Sequence, residues 1–266
     1  MAEKDKLFVI KIGGNVIDNE ASLMSFLQSF AQVKKAAILI HGGGKIATKI
    51  GDQLGIESKY LDGRRITDDV TIDVVTMVYG GLVNKKIVAG LQALKCNAIG
   101  LTGADADIIP ALKRQVKTVD YGWVGDVTPN DINIGNLQLF LKNGLTPVFA
   151  PLTHDNNGHI LNTNADTIAS SLAIALSGSY NVRLVYCFEK KGVLENIDDP
   201  ASVIRLITKD NYKALLEENK LFAGIIPKLD NAFAAIDAGV KEVLIGDASD
   251  LLQNTTDETI GTLITN

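Results

Sequence analysis

The chain has 266 residues, 46% of them hydrophobic and 21% charged, which is typical of a globular protein with one large or two small domains. Its net charge of −5 argues against a nucleic-acid-binding protein, so an anionic ligand must be held by a few local Lys and Arg side chains. A polar N-terminus and the lack of an unbroken apolar run of about 20 residues predict a cytoplasmic protein outside the membrane. Cys96 and Cys187 match no metal or redox spacing.

Short β-rich runs alternate with helical patterns along the chain, which predicts a mainly parallel sheet with helices on its faces. One helix is expected between the first two strands, with Asn19 as its N-cap. The strand candidates are the run ending at Ile12 and the segments 36–40, 97–101, 146–150, 182–188 and 242–245.

The first strand contains a lysine, Lys11, inside the apolar run 7–12, and it opens into Gly13-Gly14. A buried ammonium loses several kcal/mol of solvation unless an anion meets it. Adjacent glycines expose backbone N–H groups that can cradle phosphate. The pattern predicts a phosphate site at the end of this strand; the alternative is an edge strand whose lysine points to water.

The second strand is followed by the segment 41–45, with the sequence His-Gly-Gly-Gly-Lys, and then by a helix. Free N–H groups beside a helix N-terminus favour an anion. A P-loop is excluded because Leu39 and Ile46 occupy positions that need Gly and Ser or Thr. A relaxed dinucleotide pattern with Asp62 as its acidic residue stays open, although Asp62 does not end an apolar strand.

Two arginines, Arg64-Arg65, precede a helical pattern that runs from about Asp68 to Leu94. Arginine is suited to two-pronged binding of a carboxylate, and the alternative is a solvated loop pair. The helix is apolar on more than one face and has Gly80-Gly81 at its middle. Such a helix is either wholly buried or shared with a second subunit, and the pattern alone favours neither.

Three further segments complete the pattern. Residues 113–119 and 121–127 predict an antiparallel hairpin. Segment 162–166, Asn-Thr-Asn-Ala-Asp, places more polar residues before a helix than capping needs, which indicates amide groups that face a substrate. Lys228 follows Pro227 in the first turn of a helix, where the helix dipole disfavours a cation, and this indicates a phosphoryl site; the alternative is a solvent-exposed lysine.

The three histidines form no ligand spacing, and no Ser-His-Asp order or nucleophile elbow is present in the sequence. The chemistry indicated is positioning and charge neutralisation, which suits phosphoryl transfer.

Together these motifs resemble those of the amino-acid kinase family, and most closely its N-acyl-glutamate kinases. The resemblance rests on five stretches in their order and spacing: 11–15, 40–44, 63–67, 143–148 and 161–166, with Lys228 beyond them. It implies an open, mainly parallel three-layer αβα sandwich. Residues 1–176 would bind the acyl-amino acid and form a homodimer, and residues 177–266 would bind ATP within the same continuous fold.

The resemblance also implies roles for individual residues. Lys11 and Lys228 would stabilise charge on the transferring γ-phosphoryl group, and Asp166 would hold both lysines. The expected reaction is ATP-dependent phosphorylation of the γ-carboxylate of an N-acyl-L-glutamate in arginine biosynthesis, with Mg²⁺ held mainly by the nucleotide. Substrate would contact Gly43, Gly44, Arg65, Asn162 and Asn164, whereas the nucleotide would contact Gly13, Gly14, Glu189, Lys190 and Gly192.

Two segments depart from the family pattern. Residues 187–192 replace a Ser/Thr-Asp-Val turn at the nucleotide site, and residues 102–107 replace a Ser-Gly-Lys-Asp-Gly pattern expected near the acyl pocket. The second departure leaves the acyl group open between acetyl and succinyl. Other hypotheses are a kinase for aspartate or free glutamate, a non-catalytic ligand-binding protein on the same fold, and a dehydrogenase.

Overall fold

The computed structural model describes residues 4–61, 63–218, 220–222 and 224–266. Asp62, on which the dinucleotide hypothesis depended, lies outside the described residues. The strands in chain order are β1 (Lys6–Ile12), β2 (Ala36–His41), β3 (Tyr60–Leu61), β4 (Arg64–Arg65), β5 (Ala98–Leu101), β6 (Leu112–Lys113), β7 (Gly125–Asp126), β8 (Thr146–Phe149), β9 (Leu152–His154), β10 (Ile160–Asn162), β11 (Asn181–Phe188), β12 (Leu206–Ile207), β13 (Glu242–Asp247) and β14 (Thr262–Ile264).

Eight strands form the central sheet in the order β12-β14-β13-β11-β1-β2-β8-β5. All six predicted strands belong to it. Wherever two of these six are neighbours in the sheet, they run parallel to each other. Because β1 lies between β11 and β2, Lys11 is not on an edge strand. The carboxyl ends of parallel strands meet at one edge of a sheet, so the residues after β1, β2 and β11 are neighbours.

The helices lie on both faces of the sheet and make three layers. Asn19 caps the helix Glu20–Phe30 through its side chain, as predicted, by accepting a hydrogen bond from the Ser22 N–H group. The helices are α1 (Gly14–Asp18), α2 (Glu20–Phe30), α3 (Gly44–Gln53), α4 (Asp69–Ala93), α5 (Ile134–Lys142), α6 (Ala165–Ser177), α7 (Lys209–Glu217), α8 (Ile226–Asp237) and α9 (Leu251–Asn254), with 3₁₀ turns at Asp105–Asp107, Pro129–Asp131 and Ala248–Asp250.

Two apolar cores hold the layers together. One lies between the sheet and α5, α6, α7 and α8, and the other between the sheet and α1, α2, α3, α4 and α9. The sheet strands before residue 177 make the β1-β2-β8-β5 half, and those after it make the β12-β14-β13-β11 half. The boundary between residues 176 and 177 stays a prediction of the sequence.

Helix α4 is partly a core helix and partly exposed. Val75, Ile87 and Leu91 are fully buried, whereas Met77 and Leu82 are 57% and 52% exposed. By length and composition alone α4 could cross a membrane, and 44% of its apolar window is buried inside the protein. Its middle, Thr76–Val83, is π-helical and contains Gly80 and Gly81.

The hairpin predicted around residue 120 forms with a much shorter ladder than expected. Only β6 and β7 pair, at Leu112 with Asp126 and Lys113 with Gly125. The turn is stabilised locally, because the Asp120 carboxylate accepts a hydrogen bond from the Gly122 N–H group. Beyond this ladder Gly122 and Val124 instead form single bridges to Thr67 and Asn162, so the second predicted strand pairs outside the hairpin.

Candidate active site

The lysine of the first strand meets an anion, as its burial requires. The Lys11 residue is 9% exposed, and its Nζ lies 2.9 Å from Oδ1 of Asp166. Asp166 stands in the first turn of α6, where the helix dipole favours a negative charge. Its side chain is 41% exposed, but Oδ1, the oxygen that contacts Lys11, is buried, so the ion pair is covered while the rest of the Asp166 side chain lines a cavity.

The second predicted lysine reaches the same place from the opposite half of the sheet. Lys228, in the first turn of α8, holds its Nζ 3.7 Å from the ring centre of Phe188, and Lys11 Nζ lies 5.6 Å from that ring centre. Partial burial lowers the pKa of Lys228, the Asp166 carboxylate opposes this shift, and the Lys11 ammonium adds to it. The structure therefore brings Lys11, Asp166 and Lys228 together around one aromatic ring.

The two glycine segments lie side by side at the ends of β1 and β2. A Cβ atom on Gly42 would lie 3.7 Å from the backbone N of Gly14, so the loops are in near contact. Gly43 has φ +149°, and a Cβ there would stand 3.1 Å from Cδ1 of Tyr79. Gly44 begins α3 with open space beside its Cα. Free N–H groups at this helix end suit an anionic oxygen.

A cavity of about 570 Å³ lies between these loops and the segment before α6. All five residues predicted to bind substrate line it, and so does Asp166. Among the described residues its lining includes none of segment 102–107, from which the sequence analysis argued a changed acyl pocket. The predicted residues in the lining are Gly43, Gly44, Arg65, Asn162, Asn164 and Asp166.

Arg65 is a buried arginine whose guanidinium is only partly used by the protein. It donates to the Gly44 carbonyl and to Thr48 Oγ1, both at 2.8 Å, and to the Ser58 hydroxyl. The guanidinium also lies 4.8 Å from the ring centre of Tyr60. Within the described contacts, three of its five N–H donors are used, one on Nη1 and two on Nη2. The donor on Nε and the second donor on Nη1 are available to a ligand carboxylate.

The polar residues at the start of α6 make different contacts. Oδ1 of Asn164 accepts from the N–H groups of Asp166 and Thr167, so this side chain is the N-cap and only its amide NH₂ group is free. Nδ2 of Asn162 donates to Thr67 Oγ1 at 3.0 Å, which fixes the amide at the cavity wall. Asp166 pairs with Lys11.

The residues predicted to bind nucleotide are not all brought together. Glu189 lines a second cavity, of about 520 Å³, with Asn15 after the Gly13-Gly14 pair. Lys190 instead lies over the ring of Phe222, with its Nζ 5.5 Å from the ring centre. Gly192 is buried, and a Cβ there would stand 2.6 Å from Thr262 Oγ1, so its glycine is explained by close packing on β14.

Sequence reasoning missed four side chains at this site, namely His41, Tyr79, Tyr186 and Phe188. His41 is fully buried; its Nδ1 lies 2.7 Å from the Gly42 carbonyl, and its Nε2 lies 3.2 Å from Nδ2 of Asn84. Burial lowers the pKa of His41 to about 4, so the ring is neutral near pH 7. A neutral ring with Nδ1–H donating to Gly42 and Nε2 accepting from Asn84 satisfies both contacts.

The tyrosine of β11 stands next to the lysine in the sheet register. Tyr186 pairs with Lys11 across β11 and β1, and its ring stacks on Phe188 with centroids 6.1 Å apart. Burial raises the pKa of Tyr186 far above its ordinary value, so its hydroxyl stays protonated. The alternation of two aromatic residues at the end of a predicted strand was the available signal, because both point to the same face.

Comparison with known proteins identifies the family. The sequence model of the amino acid kinase family matches residues 6–247. The chain belongs to the amino acid kinase family. This amino acid kinase is 55% identical over 259 residues to the acetylglutamate kinase of Cytophaga hutchinsonii, with 97% of both chains covered. It is also 55% identical over 251 residues to the acetylglutamate kinase of Bacteroides thetaiotaomicron, with 94% of this chain and 97% of that protein covered.

The fold has solved relatives at much lower identity. N-acetylglutamate synthase from Neisseria gonorrhoeae, solved with coenzyme A and N-acetyl-glutamate, superposes with a TM-score of 0.81 at 21% sequence identity. The alignment covers 99% of this amino acid kinase and 60% of the synthase chain. At that identity the likeness shows the fold alone, and it agrees with the three-layer αβα sandwich predicted from the sequence.

Proposed function

We propose that this amino acid kinase transfers the γ-phosphoryl group of ATP to the γ-carboxylate of an N-acyl-L-glutamate, in arginine biosynthesis. The observation that carries the proposal is the meeting of Lys11, Asp166 and Lys228 beside two glycine loops. The names of the relatives in Cytophaga and Bacteroides support N-acetyl-L-glutamate as the substrate.

The arrangement supports a direct displacement. An oxygen of the γ-carboxylate forms the new bond to phosphorus while the bond to the bridging oxygen of ADP breaks, and its electron pair leaves with ADP. The attacking carboxylate is already ionised at neutral pH, so no general base is needed. The task left to the protein is to bring two anions together and to neutralise charge as it develops, which two ammonium groups and free N–H groups do.

The acyl-glutamate would occupy the cavity of about 570 Å³. Its α-carboxylate would take the free N–H groups of Arg65, and the amides of Asn162 and Asn164 would meet the acyl-amide end. Arg64 and Arg114 also line this cavity. Arg114 is already paired with Asp126, so the third carboxylate of a succinyl group would be met by Arg64, and N-succinyl-L-glutamate is the alternative substrate.

ATP would lie on the other side of the lysines, with Gly13 and Gly14 donating to its phosphates and the second cavity receiving the remainder. In the described part of the chain no three His, Cys, Asp or Glu side chains cluster as metal ligands. Mg²⁺ would therefore be held mainly by the nucleotide phosphates. Residues 1–176 would form the acyl-glutamate lobe and residues 177–266 the nucleotide lobe.

The exposed part of α4 supports a homodimer. Val70, Met77 and Leu82 are each more than half exposed on a helix whose other side is buried. A second copy of the same helix would cover these side chains. A cytoplasmic location, where ATP is available, completes the proposal.

The test is formation of an acyl phosphate. The protein is incubated with ATP, Mg²⁺ and either N-acetyl- or N-succinyl-L-glutamate, and hydroxylamine traps the product as a hydroxamate. Turnover with one or both is expected, with none from free glutamate or aspartate. No turnover with either acyl-glutamate would refute the proposal, and titration with NADH would then test the dehydrogenase hypothesis.

A further inference from the structure

Phe188 occupies an unusual position for an apolar side chain, because it stands at the carboxyl end of β11 between two cations. The Nζ atom of Lys228 lies 3.7 Å from the ring centre, and that of Lys11 lies 5.6 Å from it. Ammonium groups within about 6 Å of a ring centroid are attracted by the negative charge of the ring face. The shorter of these distances places the Lys228 ammonium in direct contact with the ring.

The two lysines differ in what else holds them. Lys11 is paired with Asp166 at 2.9 Å and is almost wholly buried, so its position is fixed by its strand and its partner. Within the described part of the chain the Lys228 ammonium makes no ion pair or hydrogen bond; the residue as a whole is exposed, whereas its ammonium end is partly buried against the ring of Phe188. The ring of Phe188 lies against this ammonium, and the Asp166 carboxylate attracts it without forming an ion pair.

A ring has a chemical advantage over a carboxylate at this point. A carboxylate would accept hydrogen bonds from the ammonium and would cancel its charge before the phosphoryl group arrived. An aromatic face attracts the ammonium without accepting a conventional hydrogen bond and without carrying net charge. The three N–H donors of Lys228 and its full positive charge therefore stay available for the transferring phosphoryl group.

We propose that Phe188 is a positioning residue for phosphoryl transfer, which holds the Lys228 ammonium over its ring in the orientation that the transition state requires. The proposal rests on the kinase reaction proposed above. Phe188 itself touches no reacting atom in this account, and its whole effect on the rate passes through Lys228.

A purely structural role for the ring has to be separated from this one. Phe188 is half-buried, stacks on Tyr186 and borders the core that contains α8, so its loss would also disturb packing. Replacement by leucine keeps apolar volume but removes the aromatic face. Stepwise fluorination of the phenylalanine ring at position 188 keeps shape and packing nearly constant while it withdraws electron density from the face.

The experiment measures hydroxamate formation by the full-length protein carrying phenylalanine or its mono-, di- and trifluoro derivatives at position 188. We expect kcat to fall stepwise with each fluorine, to about tenfold in total, with the KM for the acyl-glutamate unchanged. Phe188→Leu should lose at least as much, and Phe188→Tyr should retain activity within about threefold. Thermal unfolding of each variant reports any loss of packing.

Two controls isolate the effect. Phe233 lies on α8 and stacks on Tyr212, and among the described residues no cation lies over its ring, so its fluorination should not change kcat. In a Lys228→Ala background the fluorine series at position 188 should become flat, because the group on which the ring acts is gone. The proposal would be overturned if kcat did not change along the fluorine series in the protein that retains Lys228. It would also be overturned if kcat fell equally with and without Lys228. Absence of turnover in the unmodified protein would instead refute the kinase reaction itself.

Discussion

At the scale of single residues, the site depends on cations that are held close to each other before any anion binds. Lys11 and Lys228 come from opposite halves of the chain, and the Asp166 carboxylate pairs with the first and attracts the second. Two positive charges beside one negative charge leave a net attraction for a phosphoryl group. The arrangement costs folding free energy, since like charges in a partly buried place repel.

Replacement of Lys228 tests this attraction directly. Lys228→Ala should lower kcat by at least about 100-fold, because a preorganised charge at the reacting group is lost. Lys213→Ala is the matched control, since Lys213 is an exposed lysine on α7 without an ion pair in the described part of the chain. Hydroxamate formation measures both, and equal rates for the two variants would contradict the assignment.

The burial of His41 makes the free energy of unfolding depend on pH. Its pKa is about 4 in the folded protein and 6.5 in an unfolded chain, so the unfolded state takes up the proton first as the pH falls. The stability that a neutral His41 provides is full above pH 6.5 and is lost progressively toward pH 4. Between pH 7 and pH 4.5 we expect a loss of about 2–3 kcal/mol from this group.

The measurement is the free energy of unfolding in urea at pH 7 and pH 4.5, for the natural protein and for His41→Gln. Other groups titrate in both proteins, so the difference between the two pH dependences isolates the histidine. His41→Gln should lose less stability on acidification by the stated amount. An identical pH dependence would show that the ring is not held neutral by burial.

At the scale of elements, helix α4 connects the glycine loop to the surface of the protein. Its π-helical turn presents Tyr79 and Val83 to Gly43, and Asn84 at its end binds both His41 and the Val148 carbonyl. Met77 and Leu82 of the same turn face outward. The π-helical turn of α4 therefore contacts the glycine loop of the site on one side and contributes exposed apolar side chains on the other.

Gly43→Ala tests how tightly this turn fits the loop. The backbone at Gly43 has φ +149°, which residues with a side chain rarely adopt, and a new Cβ would press against Tyr79. We expect a loss of about 2 kcal/mol or more in unfolding free energy and a loss of most activity. Gly178→Ala is the control, because nothing lies within 4 Å of a Cβ at that position; similar effects of both changes would contradict the argument.

At the scale of the whole molecule, the fold follows from sequence more completely than the site does. The six predicted sheet strands are readable because each is an apolar run, and β3 and β4 are not, since two residues are too few to show a strand pattern although the two strands pair with each other. Lys11 could be singled out because a charge interrupts an apolar strand. The alternation of Tyr186 and Phe188 could place both rings on one face, but nothing near Phe188 in the sequence reveals that Lys228 lies over its ring.

At this scale we predict that the protein is a homodimer. A dimer of twice 28.5 kDa is expected by light scattering, and Leu82→Glu should shift it to the monomer because it puts a charge into an apolar interface. Leu139→Glu is the matched control, as Leu139 is 59% exposed on α5, across the sheet from α4. A monomer in the natural protein would refute the dimer, and dissociation by both variants would contradict the assignment of α4 as its interface.

Phosphoryl transfer by this protein requires the two lysines to act on one phosphoryl group. A crystal structure of the protein with ADP, Mg²⁺, an N-acyl-L-glutamate and aluminium fluoride in place of the transferring group tests this most directly. We predict that Nζ of Lys11 and Nζ of Lys228 both lie within about 3 Å of the fluoride ligands, with Asp166 still against Lys11. Lysines that point into separate cavities, with the fluoride contacted by neither or by one alone, would contradict the account.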